Sequence, residues 1–223
     1  MDALDAILLI SFAAQGVQVL AFPVPSSAST LELLLRAARH DALPHDLPAA
    51  AAVRSPLKMM VLGLLTAAVV ATQCIPLVVL AAPSTRAWWG PFADGRPAVL
   101  GALCAACLAG GNLISYTAVV SLRRAVFFHP WGETAQLHTA GIFAAVRNPV
   151  TLGLGLLSAG YFFYFPSLGT LAGFVLFAIN ADIRIRMEER TLEQSFGEAY
   201  RRYRGCTHKY IPTLKRRRSA CTP

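Results

Sequence analysis

The sequence predicts an all-α integral membrane protein, and three observations support this fold class. Hydrophobic residues make up 55% of the 223 residues and charged residues only 14%, whereas a soluble domain carries about 25% charge. Several runs with few or no charges are long enough to cross a bilayer, which takes about 20 residues of helix. The basic residues, which give a net charge of +8, are concentrated between these runs. This composition excludes a disordered chain and an ordinary soluble domain.

The first three apolar runs each predict one transmembrane helix. They cover residues 4–24, 57–82 and 98–122, and each contains at most a few polar side chains. Each run is close to the length that spans the hydrocarbon core, so each predicts a single crossing.

The fourth run, residues 150–181, contains no charged residue and is too long for one span at about 1.5 Å per residue. Pro166 lies at its middle, where a proline breaks or kinks a helix. We therefore predict a short helical hairpin made of residues 150–165 and 167–181, followed by a cytosolic C-terminal helix. About five transmembrane helices result.

The basic residues predict the orientation of these helices. If the N-terminus lies outside the cytoplasm, segments 25–58, 123–149 and 182–223 face inward and contain 18 of the 20 Lys and Arg residues. Only Arg86 and Arg96 remain outside, as the positive-inside rule expects. The C-terminus is then cytosolic. Because the membrane topology accounts for the positive charge, no nucleic-acid partner is predicted.

Candidate chemistry is concentrated in residues 135–212, where polar side chains flank the hairpin. Arg184 and Glu188 are four residues apart and share one helical face. From the residues alone two interpretations stay open: an exposed ion pair worth roughly a few tenths of a kcal/mol, or two opposite charges that bind a charged or zwitterionic ligand. Cys104 and Cys107 lie within an apolar run and are interpreted as packing residues. The histidines show no metal-binding pattern, so no metal site is expected.

Three motifs in this region are similar to those of a known family. LHTAGIFAAVRNPVTLG occupies residues 137–153 before the hairpin, EERTL occupies 188–192 after it, and FGEAYRRY at 196–203 leads to Ile211-Pro212. Their order and spacing resemble the isoprenylcysteine carboxyl methyltransferase family and its phospholipid methyltransferase relatives. The resemblance covers roughly the last third of the chain. It divides the protein into N-terminal helices and loops (1–130) and a methyltransferase core (131–223).

The resemblance implies an integral membrane enzyme that uses S-adenosylmethionine, bound by the cytosolic loop and the helix after the hairpin. It also implies that Arg184 meets the carboxylate of the substrate. Carried over by position, the cofactor site consists of Ala135, Gln136, Leu137, His138, Phe143, Asn148, Pro149, Val150, Thr151 and Glu188.

Four of these positions depart from the family pattern. Asn148 and Ala135 stand where histidines are usual, and Phe143 and Thr151 where tyrosines are usual. The substrate implied first is the α-carboxylate of a prenylated cysteine in a peptide or protein. An amine or other acceptor on a membrane lipid and a non-catalytic membrane scaffold are the alternatives. In a eukaryotic cell, the family's membrane is the endoplasmic reticulum.

Overall fold

The computed structural model describes residues 2–21, 56–92, 97–128 and 137–210. Within these ranges the chain is helical and forms two isolated bridges but no β-strand, as the predicted class requires. Three parts of the sequence-based predictions lie outside the described residues: most of segment 25–58, which is predicted to face inward, the candidate cofactor residues Ala135 and Gln136, and the end of the chain from residue 211. The described α-helices are α1 (Ala3–Ala21), α2 (Pro56–Gln73), α3 (Ile75–Ala81), α4 (Ala98–Phe128), α5 (Pro149–Tyr164) and α6 (Leu168–Cys206), with 3₁₀ turns at Pro83–Trp89 and Gly141–Ala144.

Among the described residues, three helical segments are long and apolar enough to cross a membrane: Met60–Ala81, Ala98–Leu122 and the apolar part of Leu168–Cys206. Two shorter apolar helices accompany them, Ala3–Val17 and Pro149–Tyr164. Many large apolar side chains on these helices are exposed, which is the arrangement expected where lipid covers a helix surface. The protein is therefore an integral membrane protein by its apolar helices. The count of five spans stays a prediction.

The break between α5 and α6 lies where the proline predicts it. Ser167 caps α6: its hydroxyl accepts a hydrogen bond from the Thr170 amide, and the Thr170 hydroxyl accepts one from the Ser167 amide. The segment after the Pro83–Trp89 turn holds this connection from the side, because Phe92 donates to the Pro166 carbonyl and Leu168 donates to the Gly90 carbonyl. Gly90 has φ of +59°, a left-handed conformation that glycine adopts without a steric cost.

Small residues allow α4 and α5 to pack closely. A methyl group added at Gly153 would lie 2.2 Å from the Ser115 hydroxyl oxygen and 2.7 Å from the Gly111 carbonyl oxygen, and one at Gly160 would lie 2.7 Å from Leu108. Close approach of backbones through small residues is a common way for membrane helices to associate. This contact places the first turns of α5 beside Gly111 and Ser115 of α4, and therefore holds the start of α5, where the loop between the two helices ends.

Polar side chains connect α1 to this pair of helices. Tyr164 donates a hydrogen bond to the buried Asp5 carboxylate at 2.7 Å, and Asn112 donates to the Ser11 hydroxyl at 2.8 Å. Gln15 is hydrogen-bonded to Tyr161. Interhelical hydrogen bonds of this kind contribute roughly 0.6 to 2 kcal/mol each in a membrane. The N-terminal helix is thus attached to α4 and α5 through specific contacts.

Helix α6 packs against α2, and the two helices run in opposite directions. A methyl group at Gly173 would lie 2.7 Å from the Thr72 hydroxyl, and Asn180 donates a hydrogen bond to Thr66 at 3.4 Å. Moving along α6 toward its polar end therefore means moving back along α2. This packing holds the first half of α6 at a defined position before the charged residues begin.

Candidate functional site

Helix α6 extends through the point where the sequence predicts a break between two helices. The second arm of the hairpin is expected at 167–181 with a separate helix after it, but the helix continues without interruption from Leu168 to residue 196. No proline or glycine occurs between residues 174 and 196, so nothing in the chain ends the helix where its charged residues begin. We call residues 182–196 the polar arm. The structure thus corrects the boundary of the predicted arm.

Gly197 then reverses the direction of the chain. Its φ of +50° and ψ of −119° are non-helical, and the residues after it form a second helical segment, 198–206, which we call the return helix. Arg201 and Arg204 of the return helix lie 3.1 and 3.4 Å from the Glu193 carboxylate of the polar arm. Beyond the return helix, Lys209 donates to the Asp182 carboxylate at 2.8 Å. The end of the described chain is therefore folded back along the polar arm.

The loop between α4 and α5 is bound to this returning chain. Val146 forms a parallel bridge with His208, and the Arg147 amide donates to the His208 carbonyl at 3.0 Å. The Tyr203 hydroxyl donates to the Phe143 carbonyl at 2.7 Å, and the Asn148 amide group donates to the Lys209 carbonyl at 3.4 Å. Loop residues 137–148, hereafter the cofactor loop, thus meet the polar arm and the return helix at one end of the bundle.

The Arg147 side chain joins three segments at once. One of its terminal nitrogens donates to the Arg204 carbonyl at 2.8 Å, and the other lies 3.2 Å from the Glu189 carboxylate. The exposed fractions of the two side chains are 11% for Arg147 and 17% for Glu189. Tyr200 of the return helix is almost fully buried, and burial raises its pKa to about 12, with the Glu189 charge acting in the same direction and the Arg147 charge against it. The low exposure of both side chains means that the ion pair is largely enclosed.

The predicted cofactor residues that the structure describes belong to the cofactor loop and the first turn of α5. His138 and Phe143 are in edge-to-face contact, with ring centroids 5.4 Å apart. Val150 and Thr151 follow Pro149 in the first turn and are partly exposed, whereas Pro149 is fully buried. Pro149 therefore begins the helix and packs against its surroundings.

His138 has an unsatisfied nitrogen that indicates a place for a ligand. Its Nε2 atom is buried and has no hydrogen-bond partner in the described part of the chain, and desolvation lowers its pKa. A buried polar atom without a partner carries an energetic cost, which a bound polar group removes. The imidazole and the Phe143 ring lie against each other, whereas the Asn148 amide group is directed to the Lys209 carbonyl.

Arg184 and Glu188 lie on the polar arm, near its emergence from the apolar part of α6. The Glu188 side chain is exposed. Desolvation nevertheless raises the pKa of its carboxyl group, the Arg184 charge lowers that pKa, and the Glu189 charge raises it. The Arg184 charge favours ionisation of Glu188, so the two residues interact electrostatically along one face of the polar arm.

The sequence argument named neither Arg147 nor Glu189, Tyr203 or His208 as site residues. Three of the four lie inside the quoted motifs, and two of these, Arg147 and Glu189, directly adjoin residues that were named, which is the signal that could have identified them. Because Glu189 follows Glu188 and Arg147 precedes Asn148, their contact links the two halves of the predicted site. The structure thus joins the cofactor loop to the polar arm through residues that were not predicted to act.

Gly197 is the residue whose backbone the site depends on most. We expect Gly197→Ala to destabilise the protein by about 1–3 kcal/mol, because an L-residue is strained in this conformation. No atom lies within 4 Å of the added methyl group, so the loss would come from the backbone and not from a clash. Thermal unfolding of the purified protein measures it. Gly205→Ala, in the return helix and also without a neighbour within 4 Å, is the matched control; a similar loss in both variants would contradict the argument.

Comparison with known proteins gives one match. Residues 99–199 match a protein-family model described as phospholipid methyltransferase. The matched range begins in α4, includes the cofactor loop, α5, Arg184 and Glu188, and ends in the return helix. No curated protein and no solved structure shows significant similarity to the chain.

Proposed function

We propose that the protein transfers a methyl group from S-adenosylmethionine to the α-carboxylate of a C-terminal prenylcysteine, and the match of residues 99–199 to a phospholipid methyltransferase family model supports a methyltransferase. The family match and the apolar helices together support a methyltransferase of the membrane. The cofactor and the carboxylate acceptor are our proposal. The observation that supports it most directly is the position of Arg184 and Glu188, one helical turn apart on the polar arm, with Glu188 directly before the Glu189 that pairs with Arg147 of the cofactor loop.

The cofactor residues fit the chemistry of S-adenosylmethionine. Glu188 is suited to the cationic or hydroxyl-bearing part of the cofactor, and His138, Phe143 and Asn148 to its hydrogen-bonding and aromatic parts. Thr151 adds a hydroxyl in the first turn of α5. When bound, the cofactor supplies a methyl group on a positively charged sulfur, which makes the methyl carbon electrophilic.

Arg184 would hold the acceptor. A guanidinium binds a carboxylate through two parallel hydrogen bonds and so fixes the direction of its oxygens. The carboxylate oxygen forms the new bond to the methyl carbon while the bond from that carbon to sulfur breaks, and the products are a methyl ester and a neutral thioether. The acceptor is already ionised at neutral pH, so the reaction needs no general base. The protein's contribution is alignment of the reacting atoms and exclusion of water.

The charge distribution supports an orientation in which the N-terminus lies outside and the polar arm lies in the cytosol. The soluble cofactor would then reach the site from the cytosol, while the prenyl chain of the acceptor stays in the lipid. In a eukaryotic cell we propose the endoplasmic reticulum membrane as the location.

A second candidate is methylation of a lipid amine, and the description of the matching family model as phospholipid methyltransferase favours it. Such an enzyme would share the cofactor site. Its acceptor is a cation when protonated, however, and Arg184 would repel it. The positive charge of Arg184 is therefore the reason why we prefer a carboxylate acceptor to a lipid amine.

The test is methyl transfer from labelled S-adenosylmethionine by the purified protein in lipid, with N-acetyl-farnesylcysteine and phosphatidylethanolamine offered separately. We expect base-labile label on the farnesylcysteine, because a methyl ester is hydrolysed by base. Label that resists base on the phospholipid would replace the proposal with the second candidate. A folded protein that does not bind the cofactor would indicate a non-catalytic scaffold.

A further inference from the structure

The contacts of Arg147 suggest a role beyond stability. The cofactor loop is joined to the rest of the molecule on one side by its connections to α4 and α5, and on the other by the returning chain. Arg147 is the residue whose side chain reaches both the return helix, through the Arg204 carbonyl, and the polar arm, through Glu189. It therefore contributes a direct link between the loop and the residue that follows Glu188.

The ion pair itself is enclosed and held mainly by charge. Arg147 Nη2 is 3.2 Å from Glu189 Oε1, but that oxygen and Arg147 Nε form no hydrogen bond with the described part of the chain. In an enclosed site the attraction between opposite charges is screened less than at the surface. Loss of one charge leaves the other enclosed without a counter-charge, which favours separation of the two segments.

Hydrogen bonds on both sides of Arg147 connect the neighbouring loop residues to the returning chain, so a displacement of Arg147 would also displace these residues. The Tyr203 hydroxyl binds the Phe143 carbonyl four residues before Arg147, and the Asn148 amide binds the Lys209 carbonyl directly after it. Phe143 and Asn148 are the side chains that face a ligand in the proposed function. A shift of Arg147 therefore moves both of them relative to Glu188.

We propose that Arg147 and Glu189 are positioning residues, which hold the cofactor loop against the polar arm so that the two halves of the cofactor site bind one ligand. The inference rests on the proposed function, because it concerns the same cofactor site. It assigns different roles to the two adjacent acids: Glu188 faces the ligand, whereas Glu189 acts through Arg147. Neither positioning residue needs to touch the acceptor.

The experiment compares Glu189→Gln with Glu193→Gln in the full-length protein in lipid. Both acids belong to the polar arm and both are paired with arginines, but Glu193 reaches only the return helix whereas Glu189 reaches the cofactor loop. Binding of S-adenosylmethionine is measured by calorimetry, methyl transfer by the labelled assay, and folding by thermal unfolding.

We expect Glu189→Gln to raise the Kd and KM for the cofactor by about tenfold or more, since small displacements of binding groups have large effects. The KM for the acceptor should stay within about twofold, and Glu193→Gln should leave all values within about twofold. A merely structural role would lower the unfolding temperature and the active fraction of Glu189→Gln without changing the cofactor KM, and that result would overturn the proposal.

Arg147→Lys provides a second variant that keeps the charge. A lysine retains the attraction to Glu189 but lacks the planar group that reaches two acceptors, so we expect a smaller rise in cofactor Kd than in Glu189→Gln. An unchanged cofactor Kd in both Arg147→Lys and Glu189→Gln would exclude the proposed positioning role of the Arg147–Glu189 pair. Absence of cofactor binding by the wild-type protein would instead refute the proposed function, so the two failures are distinguishable.

Discussion

Arg184→Ala is expected to lower kcat/KM for a prenylcysteine acceptor by about 100-fold. Charge-assisted hydrogen bonds to a carboxylate contribute roughly 1.5–3 kcal/mol, and every 1.4 kcal/mol corresponds to about tenfold. Binding of S-adenosylmethionine should change little, because Arg184 is assigned to the acceptor. Arg184→Lys should be intermediate, since it keeps the charge and loses the paired geometry. Steady-state kinetics with varied acceptor, together with calorimetry for the cofactor, measures both effects.

Arg186→Ala is the matched control for this prediction. Arg186 lies two residues further along the polar arm, its side chain is 69% exposed, and it pairs with Asp182. Exposed pairs of this kind contribute little, so activity should stay close to the wild-type value. Equal losses in both variants would point to a general effect of positive charge near the membrane. A gain of Arg184→Ala on a lipid amine would support the second candidate function.

Glu188→Gln is expected to have two opposite effects: weaker cofactor binding and a more stable fold. The carboxylate is lost as a partner for the cofactor, so the Kd should rise by about tenfold or more. Desolvation raises the pKa of Glu188 in the folded protein, which means that its ionisation at neutral pH opposes folding. Glutamine removes that ionisation and keeps the shape. Gain of stability with loss of binding is characteristic of a functional residue.

The pH dependence follows from the sign of the same shift. A carboxyl group whose pKa is higher in the folded state stabilises the fold when it is protonated, and this contribution disappears as the pH rises through the folded-state value. The difference in unfolding temperature between Glu188→Gln and the wild type should therefore be largest near neutral pH and shrink in acid. Glu198→Gln, an exposed acid paired with Arg201 and Arg202, should show neither effect. A Glu188→Gln variant that is less stable than the wild type at pH 7 would contradict this account.

Much of the helical architecture can be predicted from the sequence because a lipid bilayer permits few kinds of backbone structure. Backbone polar groups in lipid must be satisfied within a helix, so long uncharged runs report helices directly. The break at residues 165–167 is equally local, since Pro166 and the Ser167 cap act within a few residues. The extent of α6 is not readable in this way: the change from apolar to charged residues at 181–182 marks where the environment changes, and the helix itself continues.

The candidate site likewise contains residues that the sequence predicts and contacts that it does not predict. Motifs predict Glu188 and the described members of the cofactor loop, because each motif is a short, continuous string; Arg184 lies outside the motifs and is predicted only from its position relative to them. The sequence by itself determined the helical membrane class and the segments that carry the chemistry. Only the tertiary structure decided that Arg147 meets Glu189 and that Tyr203 meets Phe143, contacts between residues 42 and 60 positions apart. They form because Gly197 turns the chain back, and a conformation open mainly to glycine leaves no periodic signal to read.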